Sequence, residues 1–258
     1  MDLLREIGET GACFGLNLVA AIAADRYDSE SAPAYRARAI YGRCRSIVVI
    51  ANGGGGFWRS FKDFAANHPG WLERAHPLDD FTREIIEGEL LAPVRASGVD
   101  CVPVYPFVSG APTLNFMQLG MLAGLAGPSI LGVVINPVYG PWLAFRAALL
   151  IDMALEQLGD AVGFDPCPGC NTRACIAACP THAVSYPGGW DIPRCLTYRV
   201  ESGAECISRC DARIACVIGP QHRYPEDELA YHQGRALRAM RPYYDEHIRP
   251  AGRQDRND

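Results

Sequence analysis

Eight cysteines fall within one fifty-residue stretch: Cys167, Cys170, Cys175 and Cys179, then Cys195, Cys206, Cys210 and Cys216. The first four follow Cys-x2-Cys-x4-Cys-x3-Cys and run directly into Pro180, whereas the last three are separated by x3 and x5. Closely spaced thiolates let one loop wrap three corners of an iron–sulfur cubane, leaving a distant cysteine for the fourth. Paired cysteines also suit tetrahedral zinc, and free thiols are the plainest alternative. Eight candidate ligands, one set ending in Cys-Pro, favour iron, and two 4Fe–4S clusters rather than one are the expectation. Such a segment moves electrons. Cys13, Cys44 and Cys101 lie in apolar, strand-like surroundings and read as core residues.

The run resembles the bacterial ferredoxin pattern Cys-x2-Cys-x2-Cys-x3-Cys-Pro, with two extra residues between Cys170 and Cys175 and no proline after Cys216. Ala178-Cys-Pro-Thr-His-Ala-Val184 is similar to the turn that leaves such a cluster. In two-cluster ferredoxins the fourth cysteine of a run serves the other cluster. The resemblance therefore implies one cluster on Cys167, Cys170, Cys175 and Cys216, and a second on Cys179, Cys195, Cys206 and Cys210.

The chain around this segment has 258 residues, 49% hydrophobic and 21% charged, an ordinary globular balance. Its formal net charge of −5 leaves no electrostatic footprint for a polyanion, so nucleic acid is not an expected partner. Lys62 is the only lysine, and the arginine bias carries no functional weight. MDLLREIGET lacks the basic start and apolar core of a signal peptide, and a cytoplasmic location is expected. Thiols stay reduced there, which favours metal binding over disulfides. The apolar stretch Leu119–Leu155 is broken by Pro128, Pro137 and Pro141 and carries Asn136, Arg146 and Asp152. It reads as a buried helix–strand–strand and not as a membrane span.

The elements that must position the cysteines come before them. Cys44–Ala51, Asp100–Tyr105 and Ile130–Ile135 read as buried strands. Phe57–Asn67, Asp79–Ser97 and Leu114–Leu125 read as helices, the second from Phe81, Ile85, Ile86, Leu90 and Val94 near helical spacing. This alternation predicts an α/β layered domain over residues 1–160. The cysteine-rich region, 161–220, lacks periodicity and needs ligands to order it. Residues 221–258 form a helical segment, with Pro242 interrupting Pro225–His247, and a frayed AGRQDRND tail.

Two family resemblances converge on this arrangement. The cysteine pattern, Cys195-Leu-Thr-Tyr198 and Val108-Ser-Gly-Ala-Pro-Thr-Leu114 are similar to elements of epoxyqueuosine reductases, cobalamin-dependent iron–sulfur enzymes of tRNA modification. That family's catalytic aspartate falls on Ser109, whose hydroxyl is no ready proton donor. Its Cys-Pro-Trp-Asn element and C-terminal helical repeats are missing. Ile135–Arg146 (INPVYGPWLAFR) and Pro220–Tyr231 (PQHRYPEDELAY) resemble stretches of CblC-type proteins, which remove the upper ligand of cobalamin. The cysteine segment sits between them, where CblC proteins have no clusters.

Both resemblances imply a modified nitroreductase-like, CblC-like α/β domain with a C-terminal ferredoxin-like module. By matching positions, Leu114, Asn115, Phe116, Met117, Val134 and Phe145 would border a corrin. Ordinary core packing is the alternative for these residues. The leading expectation is a cobalamin-binding iron–sulfur oxidoreductase passing electrons from 4Fe–4S clusters to cobalt, for reductive removal of the upper ligand or reduction of a bound substrate. Epoxyqueuosine reduction and a cofactor-free electron-transfer protein are the alternatives. The expected partners are a corrinoid and a low-potential donor: flavodoxin, ferredoxin or a reductase.

Arg146 lies inside an apolar run and needs a partner or an anion. Its match in CblC proteins attends the thiol co-substrate glutathione, which makes it the candidate catalytic residue here, with a structural ion pair as the alternative. Gly53–Gly56 lacks the Gly-Lys-[Ser/Thr] ending of a phosphate loop and reads as a strand-to-helix connection. Tyr105 and Ser109 are expected near the corrin pocket.

Overall fold

The computed structural model describes residues 3–108, 110–156, 163–202 and 204–249. Ser109 and the tail 251–258 lie outside the described residues. The chain begins with helix α1 (Leu3–Cys13), strand β1 (Leu18–Ala23) and two short helices, α2 (Ala24–Ser29) and α3 (Ala37–Ile40). Strand β2 (Ser46–Gly53) leads through the glycine run into α4 (Gly56–Ala66), the strand-to-helix connection that the sequence predicts. Then come α5 (Pro77–Ile85), a π turn (Ile86–Leu90), α6 (Leu91–Ala96), β3 (Cys101–Val104), α7 (Phe116–Leu122) and β4 (Leu143–Ile151).

The four strands form one antiparallel sheet in the order β1-β2-β4-β3. Side chains on a strand alternate between faces, and both faces of this sheet are covered. Val48, Ile50, Ala147, Leu149 and Ile151 point into a core roofed by α1, α4, α5 and α6. Ile47, Val49, Ala148 and Leu150 point into the opposite core, with Tyr27, Leu114, Phe116 and Leu119. Burial on both faces explains why β2 is buried along its length and runs unbroken apolar from Ile47 to Ala51 without alternating in polarity.

Between β2 and β4 the register slips: Ile50 faces Ala147, but Ala51 faces Phe145. Arg146 is the extra residue of this β-bulge. A bulge re-aims side chains, and here it turns Phe145 towards the α7 side and Arg146 over the Phe57 ring on the α4 side.

Of the two strands expected in the apolar stretch only β4 forms, and Ile130–Ile135 makes only an isolated bridge from Ile135 to Gly127. That segment lacks a run of neighbours on either edge, so its apolar residues pack as loop. Leu114–Leu125 is helical only over Phe116–Leu122. The Asn115 side chain accepts from the Gln118 amide and caps the helix there.

The cysteine-rich segment contributes α8 (Ala174–Ala178), the hairpin strands β5 (Val184–Ser185) and β6 (Gly189–Trp190), α9 (Ile192–Glu201), α10 (Ala204–Ser208) and α11 (Asp211–Ile214). Helix α12 (Glu226–Tyr243) tolerates Pro242 in its last turn and continues as a π turn to Ile248. The chain is clamped to the sheet at two glycines. Gly140 (φ 60°) and Gly219 (φ 64°) both sit in the left-handed region, and a Cβ on either would strike backbone of the other's loop. Arg213 adds hydrogen bonds to the Pro141 carbonyl. Helix α12 returns to α4, where Trp58 Nε1 donates to Asp227 at 3.0 Å and Trp58 packs on Tyr231. No described helix is long and apolar enough to cross a membrane.

Candidate functional site

The eight cysteines separate into two quartets in space. Cys167, Cys170, Cys175 and Cys216 line one cavity together with Ile130, Leu131 and Ile135. Burial pushes the Cys175 thiol up, and its next influences are Cys216, Cys167 and Cys170. Cys170, the more accessible member, has its thiol lowered by the Arg173 amide and by Thr172, whose hydroxyl lies 3.6 Å from the sulfur.

Cys179, Cys195, Cys206 and Cys210 line a second cavity of about 310 Å³. Burial raises the Cys206 thiol to about 11, with Cys210, Cys195 and Cys179 adding to it. Burial likewise raises Cys210, reinforced by Cys195 and Cys179. Burial alone would raise Cys179, but Thr181 and the amides of Thr181, Ala183 and Val184 bring it below the usual range. The Ala183 amide donates to its sulfur at 3.3 Å. Donors aimed at sulfur favour the thiolate, the form that ligates metal.

Among the described residues no three His, Cys, Asp or Glu side chains converge as donors to a single metal ion. Each quartet surrounds a space instead. Outside the quartets, Cys44 is buried, Cys101 is half-buried and Cys13 is exposed at the end of α1, which corrects its reading as a core residue.

The six residues expected to border a corrin divide. Leu114 and Phe116 pack into the α7-side core, with the Phe116 and Phe145 rings 6.3 Å apart. Val134, Leu143 and Ala126 form an adjoining apolar patch against Phe145. Asn115 and Met117, the latter 47% exposed, face outward from the start of α7. None of the six lines the quartet cavities, but Leu143 belongs both to the Val134 patch and to the second quartet's wall. Tyr105 does not join them: it lies in the opposite core and donates to Glu87 at 3.0 Å. Tyr105 follows directly on β3, whose Val102 and Val104 face the Leu114 core, and the next residue along turns to the other side.

Arg146 is 6% exposed, and its Nε donates to Asn52 Oδ1 at 2.6 Å. Burial pulls its guanidinium down from the usual range, while Tyr224 and Glu228 hold it up. Around it lies a polar group that sequence reasoning missed: Trp142, Tyr224, Glu228 and His232. Trp142 Nε1, both Glu228 carboxylate oxygens and His232 Nε2 are sealed from solvent without a hydrogen-bond partner among the described residues. Tyr224 and Glu228 stand within the Pro220–Tyr231 resemblance, the one sequence signal that could have drawn notice to them.

The α/β fold, an antiparallel sheet covered on both faces, is shared with epoxyqueuosine reductases and a CblC protein. The epoxyqueuosine reductase of Streptococcus thermophilus superposes with a TM-score of 0.54 at 14% identity, covering 88% of this chain and 67% of that one. An epoxyqueuosine reductase solved with a tRNA-Tyr epoxyqueuosine-modified stem loop gives the same score and identity, covering 88% and 68%. The C. elegans B12-trafficking protein CblC also scores 0.54, at 12% identity, covering 96% and 97%.

In sequence the chain is similar to the epoxyqueuosine reductase of Shewanella oneidensis, 34% identical over 103 residues. The match takes in 40% of this chain and 25% of that relative, so it spans about a quarter of the relative's length. No protein-family model matches the chain. The resemblance read from the sequence therefore stands, as local similarity to epoxyqueuosine reductases within a fold that CblC proteins also have.

Proposed function

We propose that this chain is an iron–sulfur reductase of the epoxyqueuosine reductase kind. The observation that carries this reading is the division of eight cysteines into two quartets, each lining its own cavity. Cys167, Cys170, Cys175 and Cys216 would hold one 4Fe–4S cluster, and Cys179, Cys195, Cys206 and Cys210 the other. Such clusters supply low-potential electrons. The chain provides the thiolates, aims backbone amides at their sulfurs, and covers the second quartet with Trp190, Leu143 and Tyr198. The more accessible first quartet is the side on which a flavodoxin, ferredoxin or reductase would deliver electrons.

Cobalamin is the proposed second cofactor, supported by the fold shared with a B12-trafficking protein and by the link through Leu143. Leu114, Asn115, Phe116, Met117, Val134 and Phe145 would hold it. Leu114 and Phe116 are closely packed in the core on the α7 side, so a corrin would approach this wall from the exposed Met117 end. Arg146, deep beside Asn52, would act from behind this wall.

The sequence puts first a cobalamin-binding iron–sulfur oxidoreductase that removes an upper ligand or reduces a bound substrate, with epoxyqueuosine reduction as an alternative. The 34% local identity gives that alternative more support. The expectation against nucleic acid is then in tension with a relative of this fold solved with a tRNA stem loop. Ser109, in place of the family's aspartate, keeps upper-ligand removal in play as the other reading.

Anaerobic purification with iron and sulfide analysis tests the clusters, and colourless, zinc-loaded protein would sink them. Titration with hydroxocobalamin, followed by absorbance, tests the corrinoid, and an unchanged spectrum counts against it. Turnover of an epoxyqueuosine stem loop, compared with release of cyanide from cyanocobalamin, decides between the two acceptors.

A further inference from the structure

We propose that Glu228 and His232 form a buried proton store that opens on the cavity bounded by Cys179, Cys195, Cys206 and Cys210. The inference rests on reading that quartet as a cluster site. Glu228 is 0% exposed, and neither carboxylate oxygen has a hydrogen-bond partner among the described residues. His232 Nε2 stands 3.7 Å from Glu228 Oε1 and is itself sealed and unpartnered. The imidazole, a quarter of which is accessible, lines the cavity along with Tyr224 and all four cysteines. His232 thus lies between a carboxyl hidden from solvent and the space where electrons would arrive.

A buried carboxyl that lacks donors is costly to ionise and keeps its proton. Facing Glu228 are Arg146 from β4, Arg213 from α11, Arg59 from α4, and Asp227 and His232 on its own helix. His232 also faces Arg146, Arg213 and Arg235. Burial raises Glu228 to about 8 against the pull of Arg146 and Arg213. Burial and the three arginines lower His232 to about 3, so the ring rests neutral and can relay a proton without keeping it.

Each electron placed in the cavity adds a negative charge to a poorly solvated space. In the proposed step the Glu228 O–H bond breaks and its proton passes to His232 Nε2. A proton then leaves the imidazolium for the oxygen of the reduced epoxide acceptor in the proposed reaction, which restores a neutral ring. The electron comes through the quartets from an external low-potential carrier. The carboxylate left behind faces Arg146, Arg213 and Arg59 and regains a proton by way of His232, whose side chain is a quarter accessible to water. Where no acceptor is present, the electron held at the second quartet favours protonation of the same pair.

The test is the midpoint potential of the second cluster as a function of pH, measured by redox titration of the reconstituted full chain with EPR detection. Expected for the native protein is a flat region near neutrality. Above about pH 8 the potential should then fall, approaching 59 mV per tenfold drop in proton concentration. Glu228→Gln should abolish the slope with iron content unchanged, and Glu228→Asp should restore it with a shifted onset. A potential independent of pH in the native protein, or a slope retained in Glu228→Gln, overturns the proton store. Should Glu228→Gln fail to fold, redox-difference infrared spectra of the native protein decide. A protonated-carboxyl band that changes on reduction and shifts in D2O supports the store, and its absence overturns it. Lack of a second cluster overturns the quartet reading itself, and the inference with it.

Discussion

Arg146 Nε donates to Asn52 Oδ1 at 2.6 Å, inside a sheet whose register slips by one residue at Arg146 itself. The bulge carries a guanidinium to the α4 side, 4.7 Å above the Phe57 ring, where a regular strand would have put an apolar side chain. Asn52 is the acceptor that makes this tolerable, and its own Nδ2 donates to the Gly54 carbonyl.

Removing that acceptor should cost stability. Asn52→Leu leaves a buried charged donor unpaired, and the expected loss is about 2–3 kcal/mol. Urea unfolding of the reconstituted protein checks this, through a lower midpoint at constant slope. An unchanged midpoint would show that Arg146 has another acceptor.

The two quartets should lose metal independently. Cys175→Ser should remove the cluster of the first cavity and keep the second, whereas Cys206→Ser should do the reverse. Iron and sulfide per chain should fall by about half in each single variant, since each cluster takes four ligands. Equal loss from both cavities in either variant would contradict the division.

The glycine clamp should be intolerant of side chains. Gly140→Ala and Gly219→Ala each put a Cβ into the opposing loop at a left-handed backbone position. At least about 1–3 kcal/mol of strain is expected from the backbone alone. Limited proteolysis should show faster cutting around Gly219 than in Gly42→Ala, where a Cβ meets nothing within 4 Å.

Stability should respond to pH on both sides of neutrality. Glu228 rises from 4.5 to about 8 in the folded chain, so its contribution is complete below 4.5 and is lost as pH climbs through 8. His232 falls from 6.5 to about 3, so its contribution is present above 6.5 and is lost as pH drops towards 3. Glu228→Gln should flatten the alkaline limb of a stability-against-pH curve, and His232→Asn the acid limb. Identical curves for variant and native protein would show that neither group is held as described.

Phe145→Ala should weaken hydroxocobalamin binding if the patch around Val134 is the corrin wall. It should also cost stability, because the ring packs against Gly120 so closely that a Cβ there would enter it. Met117→Ala, at an exposed position, should leave stability within about 0.5 kcal/mol and separates binding from packing. Absorbance titration measures the first effect and thermal melting the second.

How much was visible beforehand differs from residue to residue. Val48, Val49 and Ile50 announce a buried strand because β-branched side chains crowd into a short apolar run, and β2 is where they fall. Ile130 and Ile135 look similar in composition but gain no neighbouring strand, and β-structure exists only through pairing. Tyr105 is expected near the corrin pocket, yet its ring packs into the core on the other side of the sheet, because neighbouring residues along a strand turn to opposite faces. The bulge at Arg146 leaves no mark in composition, because register is a property of two strands together.

By itself the sequence determined the chemistry on offer: eight thiols, their order, and the division into two sets that a crossed ferredoxin-like pattern implies. Ligand type and local spacing are written along the chain. Only the tertiary structure decided what surrounds them. It sealed Glu228 behind His232 and set Leu143 between the Val134 patch and the second cavity. Burial and approach depend on segments far apart in the chain, which no window of residues contains.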